Sequence, residues 1–385
     1  MSTRPNRSPE GGASPAEGKD SPVGLAIDTT FDDTSVAVLR GHREVLANVT
    51  LSQYADHAEF GGVVPERASR RHLEAIHPLI ARALAEAGAL PPAALDYVAV
   101  SNLPGLLGAI LVGMTVAKSL AYLLDVPLIG INHIEAHPYA NILAHGEPDF
   151  PALHLVAAGG HTVLIHQRDH FDWEIVGRSV DDAAGECVDK VAKLFGHPMP
   201  GGPVVDRMAL AHPPGAHAFP RPKLHDGSND FSFSGLKTAM LYFLRERGAL
   251  HQDGGEGAPG SANHGSANHG SGRMGSARRV GPLADEGPIL AAFFAAVSEV
   301  LVTKTLRAAR KLGVGTVTLS GGLAASGKLR GDFREACEKE GLALRVPPPE
   351  WCTDNAAMVA CLASYRFAVG RFDDLTLEGY PNLPM

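Results

Sequence analysis

The chain contains two copies of one local pattern, in which an apolar strand, a short polar turn and a return strand follow one another. The first copy spans residues 24–39 with its turn at 31–34, and the second spans 153–165 with Gly159-Gly160 as the turn. Each predicted hairpin opens a half of the chain in which strands and helices alternate. We therefore expect an α/β protein with two related lobes around a cleft, related by topology rather than by a sequence repeat.

Composition limits the class of protein further. The 385 residues are enough for two domains, and the formal net charge of −8 gives no general affinity for nucleic acid, so an RNA partner would need a local basic face or a second subunit. The four cysteines form no C-x-x-C pair, which favours a reducing cytoplasm. No apolar run reaches the roughly 18 residues that span a bilayer, so we expect no membrane partner.

Two segments have the composition of flexible chain. Residues 1–22 are rich in Ser, Pro, Gly and charge without an apolar stretch, and we expect a disordered tail rather than a signal peptide. Residues 252–282 contain Ser-Ala-Asn-His-Gly twice in succession within a Gly- and Ser-rich run. Such a segment cannot bury a core, so we predict a flexible surface insertion there.

The segment from Asn132 to His137 carries two histidines four residues apart. On a helix, His133 and His137 would lie on one face, where both rings could bind a single metal ion. Two ligands seldom suffice, so the pair predicts a third, a carboxylate or another histidine. Asp354 is one candidate, although it or Thr353 could instead cap the helix that follows. The competing interpretation is two unrelated histidines in a chain that has 18 of them.

Three predicted turns contain adjacent glycines, at 159–160, 201–202 and 321–322. Glycines let backbone N–H groups approach an anion, so the turns could cradle a nucleotide, but a chain with 43 glycines could also form them by chance. Asp189 lies in an apolar-leaning helix and should either pair with a lysine or accept ligand hydroxyl groups. Lys237, at a predicted helix start, could contact phosphate or be an ordinary surface lysine.

Taken together in their order, the motifs resemble those of the tRNA N6-adenosine threonylcarbamoyltransferases, whose bacterial members are called TsaD. The resemblance spans about residues 24–365. The matching segments are Gly61–Glu66, Pro104–Leu106, Asn132–His137, Gly159–Thr162, Asp181–Lys193, Pro200–Pro203, Phe231–Thr238, Gly321–Ala325 and Cys352–Asn355.

This resemblance implies the two-lobed fold shared by actin, sugar kinases and heat-shock ATPases, with central mixed sheets around a cleft. The boundaries that follow are lobe I at 23–148, completed by about 350–385, and lobe II at 149–349. It also implies one divalent metal, iron or alternatively zinc, held by His133, His137 and Asp354. The residues that the resemblance assigns to the nucleotide part of the substrate are Val156, Ala157, Ala158, Gly159, Gly160, His161, Asp189, Gly202, Asp206 and Ser326.

The reaction implied by the resemblance moves a threonylcarbamoyl group from threonylcarbamoyl-AMP to the N6 amine of the adenosine beside the anticodon, in tRNAs that read codons starting with A. The expected partners are tRNA, a paralogue-like subunit of the TsaB type and a small ATPase of the TsaE type. A kinase or ATPase of the same fold and a metalloprotease are the alternatives. In H-E-x-x-H proteases the Glu directly follows the first His, whereas here Glu135 comes two residues after His133.

Several residues depart from the family pattern. The N-terminal hairpin usually carries Glu at the positions of Asp28 and Asp33, so a catalytic role for Asp33 as a general base requires a longer reach or a bridging water. Ser326 stands where the family usually has Asn, and a hydroxyl offers fewer hydrogen-bond donors than an amide.

Overall fold

The chain forms two five-stranded mixed sheets flanked by helices, as described by a computed structural model for residues 21–57, 60, 62–251, 278–279 and 283–382. The strands of the first sheet are β1 Val23–Asp28, β2 Asp33–Arg40, β3 Glu44–Ser52, β4 Tyr97–Leu103 and β5 Leu128–Asn132, and their order in the sheet is β3-β2-β1-β4-β5. Those of the second are β6 Ala152–Ala158, β7 His161–Gln167, β8 Trp173–Arg178, β11 Thr316–Ser320 and β12 Ala343–Arg345, in the order β12-β11-β6-β7-β8. A separate two-stranded pair comprises β9 Leu250–His251 and β10 Arg278–Arg279.

The two sheets share one topology. In the first, β1 pairs antiparallel with β2, β2 antiparallel with β3, and β4 joins the other side of β1 in parallel, followed by β5. In the second, β6, β7, β8, β11 and β12 repeat the same pairings in the same order. This equivalence confirms the prediction of two related lobes, each opened by a hairpin.

The helices cover both sheets. They are α1 Tyr54–His57, α2 Pro65–Glu86, α3 Leu107–Leu124, α4 His133–Ala136, α5 Tyr139–His145, α6 Ala184–Leu194, α7 Gly202–Ala211, α8 Ser234–Glu246, α9 Glu286–Leu312, α10 Gly327–Glu340 and α11 Ala356–Ala368. Helices α2 and α3 pack on one face of the first sheet, and α11 packs on the other against β1 and β2. The core of the second lobe forms around α6, α7, α8 and α9.

Among the residues that the structure describes, two helices, α3 and α9, are long and apolar enough to cross a membrane by length and composition, contrary to the expectation that no such run occurs. About 78% of the apolar window of α9 is buried, as in the core helix of a folded domain, whereas about 33% of the window of α3 is buried. The apolar character of α9 is therefore explained by the core of the second lobe.

The ends of several elements depend on local backbone preferences. Helix α2 begins at Pro65, because proline suits the first turn of a helix. The segment after Gly321 forms a short 3₁₀ helix, Gly322–Ala325, before α10 begins. The predicted flexible segments at 1–22 and 252–282 lie largely outside the described residues.

The two lobes meet where the hairpins turn. Ile134, which follows β5, packs against Val156 and Ala158 at the end of β6. The Phe31 ring, in the β1–β2 turn, lies 5.8 Å from the His161 ring at the start of β7. The strand ends of one lobe therefore face those of the other.

Candidate metal and nucleotide site

The two histidines of the central motif lie on one helical turn at the end of β5. Asn132 caps this turn, because its Oδ1 accepts hydrogen bonds from the backbone N–H groups of Ile134 at 2.9 Å and Glu135 at 3.3 Å. The rings of His133 and His137 lie edge to face, with centroids 4.8 Å apart. The helical spacing therefore brings both imidazoles to one place, as predicted.

Asp354 completes the cluster from the other end of the chain. Its Oδ1 lies 3.5 Å from the Nε2 atom of His133 and 3.5 Å from that of His137. The three ligand atoms lie within 4.8 Å of one another. The helix that follows begins at Ala356 with Asn355 as its side-chain cap, so the capping role considered for Asp354 belongs to its neighbour.

The donor set fits one divalent metal ion. Both Nε2 atoms are buried and have no hydrogen-bond partner. Such atoms are costly to bury unless a ligand engages them. With bonds of about 2.1 Å, tetrahedral ligand atoms lie roughly 3.4 Å apart, which is close to the separation of Asp354 from each histidine.

Asp28 orients the first of these histidines and was missed as a site residue by sequence reasoning. Its Oδ2 accepts a hydrogen bond from Nδ1 of His133 at 2.8 Å, and its Oδ1 accepts one from the hydroxyl of Thr30 at 2.8 Å. With Nδ1 protonated, the lone pair of Nε2 points to the metal position. The sequence offered one signal for this role, because Asp28 is an acidic residue at the end of β1, and the ligand segment follows the end of β5.

The carboxylates of Asp28 and Asp354 favour a positive charge at the two histidines. Burial lowers the pKa of His133, but the carboxylates of Asp28 and Asp354 outweigh burial and raise it to about 10. Burial, with the charge of His133, lowers the pKa of His137 to about 3. Burial would raise the pKa of Asp354, but the two histidines hold it well below its usual value. A proton on His133 thus supplies the positive charge when no metal does.

The β1–β2 turn covers this cluster and is fixed by a histidine that the sequence did not single out. Nε2 of His72 donates to the backbone oxygen of Phe31 at 2.9 Å, and Nδ1 accepts from the hydroxyl of Thr34 at 2.8 Å. The Phe31 ring meets the ring of His133 edge-on at 5.5 Å. His72 is completely buried and thereby holds the turn over the metal ligands.

Asp33 lies at the end of this turn with a buried Oδ1 atom that has no hydrogen-bond partner. Burial is the main cause that raises its pKa to about 7, against a hydrogen bond with Ser52 that lowers it. A carboxylate with such a pKa can accept a proton near neutral pH. Its catalytic role nevertheless stays a prediction.

The end of β6 meets two of the three glycine turns. Gly321 has a φ of +87°, and a Cβ added there would lie 2.5 Å from the backbone of Ala157, so this approach requires glycine. The turn at Gly159-Gly160 is open, with nothing within 4 Å of an added Cβ on either residue. The structure thus places the predicted segment from Val156 to His161 beside the Gly321 turn.

Asp189 joins the third glycine turn. Its Oδ1 accepts hydrogen bonds from the backbone N–H groups of Gly201 at 2.8 Å and Gly202 at 3.1 Å. No lysine pairs with it among the described residues, which removes one of the two interpretations considered. Burial raises its pKa more than these two hydrogen bonds lower it.

Asp206 and Ser326 contact each other. The Ser326 hydroxyl donates to Oδ1 of Asp206 at 2.5 Å, and the N–H groups of Gly327 and Lys328 donate to the same carboxylate at 3.0 and 3.1 Å. Ser326 also caps α10 by accepting from the N–H of Leu329 at 3.1 Å. Both side chains therefore stabilise the start of α10, and their binding of a nucleotide stays a prediction.

Two charged residues of the predicted motifs form ion pairs with other side chains. Lys237 donates to Asp182 at 2.6 Å, so its charge is already paired. Glu135 pairs with Arg366 at 2.9 Å, and its side chain is 6% exposed. Arg366 also donates to the backbone oxygen of Gly130 at 2.7 Å. Glu135 is thus engaged away from the metal ligands, which removes it as a protease base.

The protein has the two-lobed α/β fold of the actin and sugar-kinase class, with a His-His-Asp cluster where the lobes meet that fits one divalent metal ion. Two solved structures share the fold. HypF from T. kodakarensis matches with a TM-score of 0.58 at 16% identity over 93% of this chain and 49% of that chain. Full-length HypF in a phosphate- and nucleotide-bound form matches with a TM-score of 0.56 at 13% identity over 92% of this chain and 57% of that one.

The sequence identifies the family within this class. The chain belongs to the tRNA N6-adenosine threonylcarbamoyltransferase family, TsaD, whose sequence model matches residues 44–361. The enzyme of that name from Moorella thermoacetica is 44% identical over 94% of this chain and 96% of its own length. The one from Symbiobacterium thermophilum is 44% identical over 93% and 96%. The expected family, fold and enzyme class are therefore confirmed.

Proposed function

We propose that this protein transfers the threonylcarbamoyl group of threonylcarbamoyl-AMP to the N6 amine of the adenosine beside the anticodon, in tRNAs that read codons starting with A. The amine nitrogen bonds to the carbamoyl carbon, the bond from that carbon to the phosphate oxygen breaks, and AMP leaves. The observation that carries the proposal is the His133, His137 and Asp354 cluster in a chain of this family.

The metal, when bound, would act as a Lewis acid that polarises the acyl group. We propose iron, because two imidazoles and one carboxylate with open positions suit Fe²⁺, while zinc accepts the same donors. Asp28 fixes the orientation of His133, and the β1–β2 turn shields the ligands from one side. These contacts hold the reacting groups in place, which is the main requirement when the donor is already activated.

The remaining predicted residues are proposed to bind the nucleotide and to accept the proton that the reaction releases. Asp33, with its pKa near 7, is proposed to accept the proton that the attacking amine loses. The backbone N–H groups at Gly159 and Gly160 are proposed to face the leaving phosphate, since this turn is open. Asp189, Gly202, Asp206 and Ser326 are proposed to hold the nucleotide beside it.

We propose that the protein works in the cytoplasm, where tRNA and reduced thiols coexist; all four cysteines are buried, and none forms a disulfide. Its proposed partners are a TsaB-type subunit and a TsaE-type ATPase. In support, α3 exposes large apolar side chains that a second subunit could cover: Leu107, Leu111, Tyr122 and Leu123 are 45–76% exposed.

The function is tested by mixing the purified chain with threonylcarbamoyl-AMP, tRNA and the two partner proteins, and measuring modified nucleosides by mass spectrometry. His133→Ala should lose both bound metal and product, whereas His77→Ala, an exposed histidine on α2, should keep both. Full transfer by a metal-free His133→Ala protein would refute the role of the metal. Absence of product with the wild-type chain and all partners would refute the reaction.

A further inference from the structure

A basic concavity of about 560 Å³ lies apart from the metal cluster, where α10 and β12 of the second lobe meet the end of α5. Its polar lining comes from His145, Arg330, Arg334, Glu338 and Arg345. Three guanidinium groups around one concave surface are unusual in a chain with a net charge of −8. Concave walls of one sign of charge focus the electrostatic field and attract oppositely charged ligands.

The protein holds these cations in place without neutralising them. Arg330 donates from Nε to the backbone oxygen of Ala324 and from Nη2 to that of Pro347, both at 2.6 Å. Arg345 donates from Nη1 to the backbone oxygens of Gly146 at 2.9 Å and Glu147 at 2.7 Å. Backbone carbonyls fix the orientation of a guanidinium but leave its full charge available.

None of the lining cations forms an ion pair within the part of the chain that the structure describes. Arg334 is exposed and has no partner there. The other basic residues of α10 are paired, Lys328 with Asp332 and Lys339 with Glu335 at 2.6 Å. Glu338 is the carboxylate that lines the concavity, so positive charge predominates in it.

We propose that the basic concavity binds the phosphodiester backbone of the tRNA substrate. This inference rests on the proposed function, since it adds a docking site for the acceptor RNA. Planar guanidinium groups match phosphate oxygens in pairs of parallel hydrogen bonds. The free donors are Nη1 of Arg330, Nε and Nη2 of Arg345, and the whole guanidinium of Arg334.

The basic concavity contacts the chain segment that carries the metal ligand Asp354. Arg330 contacts Sγ of Cys352 at 3.2 Å as well as the oxygen of Pro347, and Asp354 follows two residues after that cysteine. Helix α10, which carries Arg330 and Arg334, begins directly after its cap Ser326, whose hydroxyl donates to Asp206. RNA bound here would therefore rest against the helix and the segment that carry site residues.

The test compares tRNA binding by Arg334→Glu with that of the wild-type full chain, in the presence of the TsaB-type subunit and without donor. Arg334 is exposed and forms no side-chain hydrogen bond or ion pair with the residues that the structure describes, so its replacement should leave the unfolding midpoint unchanged. The matched control is Arg245→Glu, because Arg245 is also an exposed, unpaired arginine on a helix, α8. Arg334→Lys keeps the charge but loses the paired hydrogen bonds of the guanidinium, so its tRNA affinity should lie between that of Arg334→Glu and that of the wild type.

We expect Arg334→Glu to bind tRNA at least about fivefold more weakly at 0.15 M salt, and to lower the slope of log affinity against log salt by about 1. The loss should be equal for tRNAs with and without the modifiable adenosine, because backbone contacts are independent of sequence. Equal tRNA affinity and salt slope in Arg334→Glu, Arg245→Glu and the wild type would overturn the proposal, as would absence of tRNA binding by the wild type.

Two further measurements distinguish tRNA from other ligands that could bind the basic concavity. Loss of AMP affinity in Arg334→Glu with unchanged tRNA affinity would assign the concavity to a free nucleotide phosphate, and loss of partner-protein binding alone would assign it to an acidic protein surface; either result overturns the proposal. Failure of the proposed function is a separate result, since it is read from modified nucleosides made by the wild type and not from tRNA binding.

Discussion

Replacing Asp28 with Asn should weaken metal binding strongly while leaving the fold intact. Asp28 uses both carboxylate oxygens, one for Nδ1 of His133 and one for the hydroxyl and N–H of Thr30. Asparagine has one oxygen, so at least one of these buried donors would face an amide NH₂ group. The negative charge that favours a cation at Nε2 of His133 would also be lost.

The size of the effect follows from the burial of the pair. The side chains of His133 and Asp28 are 1% and 3% exposed, so water cannot replace the lost hydrogen bond. Removing such a carboxylate behind a metal-bound histidine typically lowers metal affinity about 10- to 100-fold. This corresponds to roughly 1.4–2.8 kcal/mol, and the burial of this pair favours the upper half of that range.

Metal affinity is measured without reference to activity, by titrating metal-free protein with Fe²⁺ or Zn²⁺ against a chelator of known affinity. Asp32→Asn is the matched control, because the charge of Asp32 also interacts with Asp354 but its carboxylate does not contact either ligand histidine. The control should bind metal within a fewfold of the wild type. Wild-type affinity in Asp28→Asn, or an equal loss in both variants, would refute the orienting role of Asp28.

Two predictions concern stability. Arg366→Ala leaves the carboxylate of Glu135 buried without its partner and should lower the free energy of unfolding by about 3 kcal/mol, measured in urea; a second change, Glu135→Gln, should restore part of this loss, and a loss below about 1 kcal/mol would contradict the argument. Burial lowers the pKa of His154 to about 3 in the folded chain, so its stabilising contribution is present above pH 6.5 and is lost as the pH falls through 6.5 toward 3. Between pH 7 and pH 5 the wild type should therefore lose about 2 kcal/mol more than His154→Gln, and identical pH profiles would exclude this.

The sequence predicted the fold to a large extent because its signals were local. Each hairpin could be recognised from alternating strand and turn residues over about 15 positions, and equivalent pairings in the two sheets followed from that. The ends of elements were less predictable, as at Pro65 and after Gly321, because capping and close backbone approach depend on neighbours. The apolar length of α9 was underestimated, because its apolar residues reflect burial in the core of the second lobe and do not follow a helical period in the sequence.

In the candidate site, too, features with a local sequence signal were predictable, and features that depend on folding were not. His133 and His137 were predictable from their spacing, because four residues on one helical turn determine which side chains share a face. The family resemblance suggested Asp354, but its place 3.5 Å from both imidazoles depends on folding that joins residues more than 200 positions apart.

The sequence by itself determined the family, the two-hairpin architecture and the pair of histidines, all of which rest on local or ordered patterns. The tertiary structure alone decided that Asp28 orients His133 and that His72 fixes the turn above it. It also decided that Glu135 and Lys237 form ion pairs with other side chains. It also brought arginines of α10 and β12 together in one basic concavity. The physical reason is that hydrogen-bond and charge partners are chosen by proximity in space, which the order of residues along the chain does not specify.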